Sequence, residues 1–256
     1  MMTPSEPTPG PTIRGRPGQA ARAWGLWHAA LPLAALLFFA GFVLGSALRP
    51  AGLQGTPAGA LLLCMALAIA GLGKRAQVRL RRHHRGAEGE EKVARILDNL
   101  PHTWHVFHGV PLANHLLAKR LKGGRDADHI AIGPGGIYLI ETVNWSGRIS
   151  LQDSQILDNA KAYPGHTLDV FREAADALDA WLREENPDTP AVTPVFCAAG
   201  GRYAPGLSEH EDLLFREPET LLHTLTQVKT PQLTPEQINR IAAQIHNLWN
   251  AMADEK

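Results

Sequence analysis

Two long apolar stretches open the pattern: no Asp, Glu, Lys or Arg occurs between Arg22 and Arg49, and none between Arg49 and Lys74. Trp24 to Leu48 is 25 residues and Leu53 to Gly73 is 21. As helices they would be about 37 Å and about 31 Å long, enough to cross a hydrocarbon core of about 30 Å. The second is the weaker, because Gln54, Thr56 and Pro57 crowd its start. A short turn at Arg49-Pro50-Ala51-Gly52 joins them, and the pattern predicts a two-helix transmembrane hairpin over 24–73. A signal peptide fits less well, since its apolar run is usually about 7–15 residues and a second apolar segment follows here, although Gly45-Ser46-Ala47 resembles a cleavage site. A buried core hairpin fits poorly too, because core helices rarely run this far without a charge. Trp24 and Trp27 suit an interfacial aromatic belt, or sit there incidentally.

Beyond this hairpin the apolar spacing changes. Val93, Ile96, Leu97 and Leu100 mark one face of a helix from Glu88. Trp104 to Leu112 reads as a strand. Ala127 to Ile132 and Ile137 to Thr142 are β-rich runs flanking Gly133-Pro134-Gly135-Gly136, which predicts a hairpin, with Gly147 to Leu151 as the third strand of the meander. Leu168, Phe171, Ala175, Leu178 and Leu182 make a helical stripe that ends before Pro187. Val192 to Ala198 is a buried strand by composition, Leu213 to Phe215 a short one, and Glu219 to Leu225 a helix. A last helix begins at Pro235, with Ile238, Ile241, Ile245 and Leu248 in step. The order α-β-β-β-α-β predicts an α/β (α+β) domain with a central mixed sheet flanked by helices.

The net charge of zero hides an asymmetry. Residues 1–87 hold ten basic residues against Glu6 alone, or +9, which leaves 15 basic and 24 acidic residues, or −9, in the remainder. Basic residues crowd the N-terminal tail and the stretch from Lys74 to Arg85, whereas the turn has Arg49 alone. Both termini and the domain are therefore expected on the cytoplasmic side of a plasma (inner) membrane, with lipid as a partner of the hairpin and of the basic segment. A surplus of −9 argues against strong constitutive DNA binding, which depends on neutralising phosphates. Two cysteines, Cys64 and Cys197, offer neither a disulfide framework nor a zinc site and read as small buried hydrophobes. The organisation that follows is a disordered Pro-rich tail at 1–23, the hairpin at 24–73, a basic linker at 74–85, the domain at 86–228 and a C-terminal helix at 229–256.

The candidate chemistry lies in the hairpin. If pairing is symmetric about the turn, partners have numbers summing to 269, so Ile130 faces Leu139 and Asp128 faces Glu141. Their Cβ atoms would be about 5 Å apart. Like charges opposed in a sheet are destabilising, so the pair makes sense with something positive between them, and a divalent cation with oxygen ligands is the obvious choice.

Gly86-Ala87-Glu88-Gly89-Glu90 opening a helix, Asp126-Ala127-Asp128-His129, and Glu141-Thr142-Val143-Asn144-Trp145-Ser146-Gly147 together resemble the nuclease-related domain (NERD), a family of the PD-(D/E)XK restriction-endonuclease-like superfamily. The resemblance covers roughly 86–228. It implies a restriction-endonuclease-like core, catalytic roles for Glu90, Asp128 and Glu141, and one or two Mg²⁺ ions held by Asp128 and Glu141, with Glu90 as the helix glutamate. It also implies a lysine two positions after Glu141, in a Glu-x-Lys motif, where this chain has Val143. Lysine would stabilise developing charge or position the nucleophile, which an aliphatic side chain does not do. Lys161 and Arg148, which follow the motif, are the candidate surrogate cations.

Other residues have bland readings beside the functional ones. His129 points away from Asp128 by strict alternation, as a structural histidine would. His102, His105, His108 and His115 look like a metal cluster, but His105 and His108 fall on opposite faces of a strand. Trp145 is either a base-stacking platform or a packing residue in a turn. Glu88, Glu90 and Glu91 suit the first turn of a helix by its dipole alone. Three readings stay open: a membrane-anchored Mg²⁺-dependent endonuclease acting on DNA or RNA, an inactive nuclease fold that binds nucleic acid or a protein partner, and a structural domain moored on anionic lipid.

Overall fold

A computed structural model describes residues 10–47, 56–112, 126–227 and 232–253. It divides into two compact units, Gln19–Ala87 and a larger one formed by Met1–Gly18 together with Glu88–Lys256.

The smaller unit is helical. Helix α1, Gln19–Ala47, keeps the uncharged stretch of the first apolar segment and leaves Leu26, Trp27, Leu37, Phe38, Phe39 and Phe42 exposed. Helix α2, Thr56–Leu97, carries the second apolar segment, the basic stretch and, from Glu88, the first helix of the larger unit. Among the described residues no helix is long and apolar enough to cross a membrane. The expected spans fall partly outside those residues: 48–55 are not described, nor is the side chain of Trp24.

The larger unit is built on a seven-stranded sheet and a four-stranded one. Its strands are β1 (Thr12–Arg14), β2 (His105–Pro111), β3 (Asp126–Gly133), β4 (Gly136–Val143), β5 (Arg148–Gln152), β6 (Gln155–Asp158), β7 (Lys161–Thr167), β8 (Val192–Ala198), β9 (Arg202–Tyr203), β10 (Glu209–His210) and β11 (Leu213–Arg216). Its remaining helices are α3 (Leu168–Glu185), α4 (Pro218–Thr226) and α5 (Pro235–Ala253). The central order β1-β2-β3-β4-β8-β11-β10 mixes parallel pairs, β1 with β2 and β4 with β8 and β8 with β11, and antiparallel ones. This is an α/β fold with a mixed central sheet, as the element order predicted. Helices cover both faces. Val93 and Leu97 of α2 pack with Val106, Ala131, Tyr138, Ile140, Val195 and Cys197 on one. Leu178 and Leu182 of α3 and Ile241 and Ile245 of α5 pack with Phe107, Ile130, Ile132, Ile137 and Leu139 on the other. Strand alternation makes both layers apolar, as expected for a sheet buried on both sides.

Two expectations need correction. Thr12–Arg14, read as part of a disordered tail, forms β1 and pairs in parallel with His105, Val106 and Phe107. The stretch 148–152 does not continue the meander. The free edge of β4 is taken by β8, and β5 opens the separate sheet β7-β6-β5-β9. The loop between them is folded hard against Gly200 and Gly201, where an added Cβ would meet Asn144 Oδ1 at 2.5 Å and the Gly147 carbonyl oxygen at 2.8 Å.

Candidate functional site

The helix that carries Glu90 is seated by a glycine. A Cβ on Gly89 would meet Asn144 Cβ at 2.9 Å, and Thr142 Cγ2 and Ala199 Cβ at 3.4 Å. Only a bare Cα lets α2 lie this close to the carboxyl ends of β4 and β8, where open α/β sheets hold ligands. Glu90 then projects from the next position. Its Oε2 accepts the main-chain N–H of Gly18 at 2.7 Å. Burial and the charge of Asp128 push its carboxyl up from 4.5 to about 7; the Gly18 amide opposes the shift, and Glu91 and Asp126 add to it. The charges acting most strongly on Glu90 are thus all acidic.

Asp128 comes from β3. The predicted register holds from Gly133 opposite Gly136 to His129 opposite Ile140, every pair summing to 269, and the ladder ends there. The Thr142 N–H, which lies beyond its end, donates to Asp128 Oδ2 at 2.7 Å. Side-chain alternation also breaks at this point: Ala127 shares a cluster with Ile130 and Ile132, and the facing strand has Gly109 with φ +61° between His108 and Val110. This local kink brings Asp128 to the amide of Thr142 and within charge reach of Glu90. Glu141 keeps regular alternation. It pairs with Phe196, is 3% exposed, and shares the face of Leu139 and Val143. The structure therefore brings Glu90 and Asp128 together on the α2 side, while Glu141, expected opposite Asp128, lies on the other face of β4 from Thr142, whose Cγ2 faces Gly89 of α2. Among the described residues no group of three His, Cys, Asp or Glu side chains is arranged to hold a metal ion.

Val143, the position of the motif lysine, is 6% exposed and packs with Ile149, Phe171 and Phe196. Trp145 lies against Phe196 with ring centroids 5.6 Å apart, in keeping with a packing tryptophan. The proposed surrogates Arg148 and Lys161 both sit in the four-stranded sheet, at the starts of β5 and β7, with exposed side chains. A cation that sequence reasoning missed is Lys92 on α2. Its Nζ donates to the Ala199 carbonyl at 2.8 Å and lies 3.5 Å from Glu219. Ala199 in turn donates its N–H to the Val143 carbonyl at 2.7 Å, so Lys92 is tied to the strand end that carries the motif. Its signal was available, two residues after Glu90, but the i, i+2 spacing points it to another flank of the helix.

The histidines divide as the strand alternation requires. His105 Nε2 meets Asn239 Oδ1 of α5 at 3.1 Å, while His108 Nδ1 lies 2.7 Å from Nδ1 of the fully buried His129. One ring of that pair donates and the other accepts, and both are disfavoured in the charged form: burial pushes His108 down to about 4, and burial together with His108 holds His129 well below its ordinary range. His102 is exposed, and His115 lies outside the described residues.

The model of the nuclease-related domain family (NERD) matches residues 85–199, which span Glu90, Asp128, Glu141 and Val143. No curated protein and no solved structure matches the chain. A nuclease-related domain is compatible with a metal cofactor, and the donor chemistry here fits one. Two neighbouring carboxylates, one of them pushed toward its neutral form by burial and then by the charge of the other, are what a divalent cation relieves.

Proposed function

We propose that this is a membrane-anchored protein whose nuclease-related domain cleaves nucleic-acid phosphodiesters with the help of a divalent cation. The observation that carries the reading is the seating of Glu90 through Gly89 beside the carboxyl ends of β4 and β8, where Asp128 Oδ2 accepts the Thr142 N–H and its charge acts on Glu90. In this reading Glu90 and Asp128 hold the ion, with water in its remaining positions, and Glu141, on the other face of β4, lies outside the ligand set. Mg²⁺, when bound, supplies Lewis-acid polarisation of the phosphodiester and acidity to a coordinated water. The protein contributes the fixed carboxylates, the seating of α2 through Gly89, and the Asp128–Thr142 bond that keeps one carboxylate in place. Anchoring is supported by the exposed apolar side chains of α1 and the charge-free stretch between Arg22 and Arg49. The basic residues from Lys74 to Arg85 then face anionic lipid headgroups, and the domain lies on the cytoplasmic side.

One observation favours a second reading, an inactive nuclease fold that binds nucleic acid or a protein partner at the membrane: the motif position holds Val143, buried among apolar side chains.

The test is cleavage by the detergent-solubilised full chain of single- and double-stranded DNA and of RNA, with Mg²⁺ or Mn²⁺. The parent should cut, while Glu90→Gln and Asp128→Ala should not. An inert parent leaves the binding module as the better reading. Metal-dependent cleavage that survives both substitutions overturns the site.

A further inference from the structure

The N-terminal segment that precedes α1 reaches the candidate site. Thr12–Arg14 extends the central sheet beside β2, anchored at its start by the Thr12 N–H donating to the Trp104 carbonyl at 3.0 Å. Gly15, at φ +87°, passes so close to β2 that an added Cβ would lie 2.1 Å from the His108 carbonyl oxygen. Gly18, buried and at φ +71°, ends the segment and gives its N–H to Glu90 Oε2, 72 positions along the chain. The two glycines hold conformations that side chains rarely adopt, so this path is specified and is not a loose tail lying where it can.

We propose that residues 12–18 form a positioning strap: by fixing one oxygen of Glu90, the Gly18 amide orients the carboxylate toward Asp128 and so prepares the pair for a divalent cation. Carboxylate ligands are in turn held by hydrogen bonds, and loss of such a partner typically weakens metal binding by about 10–100-fold. The inference rests on the site reading above and adds a part that the matched region lacks, since residues 85–199 do not include the strap. A domain cut at residue 86 would retain the three carboxylates and lose the amide that sets one of them.

The experiment measures Mn²⁺ affinity by electron paramagnetic resonance on the detergent-solubilised full chain, with no substrate present. Gly15→Val drives the strap off β2, because its side chain has no room against the His108 carbonyl. A second variant lacks residues 2–18, removing the Gly18 donor with the strap and forcing no side chain into that space, so it carries the test where Gly15→Val fails to fold. Glu173→Ala, an exposed change on α3, is the control. Parent and control should bind alike, and both strap variants should bind about 10–100-fold more weakly. Equal or tighter binding in the strap variants overturns the strap and leaves the site standing. A parent that binds no Mn²⁺ overturns both, so the two failures are told apart.

Discussion

Asp128 and Thr142 end the β3–β4 ladder together: the carboxylate of one accepts the main-chain N–H of the other at 2.7 Å. One side chain thereby terminates a strand pair and serves as a candidate metal ligand, and its two roles can be separated. Asp128→Ala leaves the amide without its acceptor and should cost about 1–3 kcal/mol. Asp128→Asn keeps an acceptor oxygen and should stay near the parent in urea unfolding. Both should lose Mn²⁺ binding. Equal destabilisation by the two would show that the carboxylate's charge, and not the hydrogen bond, supports the strand end.

Glu90 carries a pH signature of definite sign. Its carboxyl is raised from 4.5 to about 7, so the folded chain holds that proton more tightly than the unfolded one across this window. Its contribution to stability is present below about pH 4.5 and is lost as pH rises toward 7. His108, lowered from 6.5 to about 4, and His129 act the other way, and their contribution is lost as pH falls through the same region. The parent's profile mixes the two, but subtracting that of Glu90→Gln isolates the carboxyl. The glutamine variant should be more stable by about 1–3 kcal/mol near pH 8, with the gap closing below about pH 5. A constant gap at all pH values would mean that Glu90 titrates normally.

The elements that carry their own apolar period were legible from sequence. The stripe through Phe171, Leu178 and Leu182 became α3, and the two runs flanking Gly133 to Gly136 paired in the expected register. Strand β1 was not legible, because three residues have no period of their own and their partner lies at His105 to Phe107. Strand β5 alternates and was legible, but the two-residue turns Asp153-Ser154 and Asn159-Ala160, with all four residues at positive φ, add the strands β6 and β7, which have too little alternation of their own to read. At the site, Glu90 and Asp128 were legible, but Glu141 was set opposite Asp128 by assuming that alternation runs unbroken through Asp128. The kink opposite Gly109 interrupts it, and neither that kink nor the Gly18 amide has a local signal in the residues that depend on it.

The membrane reading makes a topological prediction. With basic flanks on both apolar segments, reporter fusions after Lys74 and at Lys256 should both give cytoplasmic signals. A reporter exported at Lys256 would remove the hairpin and, with it, the cytoplasmic placement of the domain.

Val143 offers the sharpest test of whether chemistry survives here. Its side chain is buried among Ile149, Phe171 and Phe196, on the same face as Glu141 two residues earlier. A lysine there loses an apolar contact and much hydration, but it gains a carboxylate within reach on its own face, so Val143→Lys should fold with a stability loss of about 1–3 kcal/mol. A positioned charge-stabilising donor is typically worth about 10²–10³ in rate. If the missing lysine is what limits the domain, cleavage should rise by about that factor in Val143→Lys, and the double variant Val143→Lys with Asp128→Ala should be inert. An active parent whose rate Val143→Lys leaves unchanged would place the charge-stabilising cation elsewhere, and Lys92→Met would then be the informative variant, because Lys92 already reaches the Ala199 carbonyl beside this strand end.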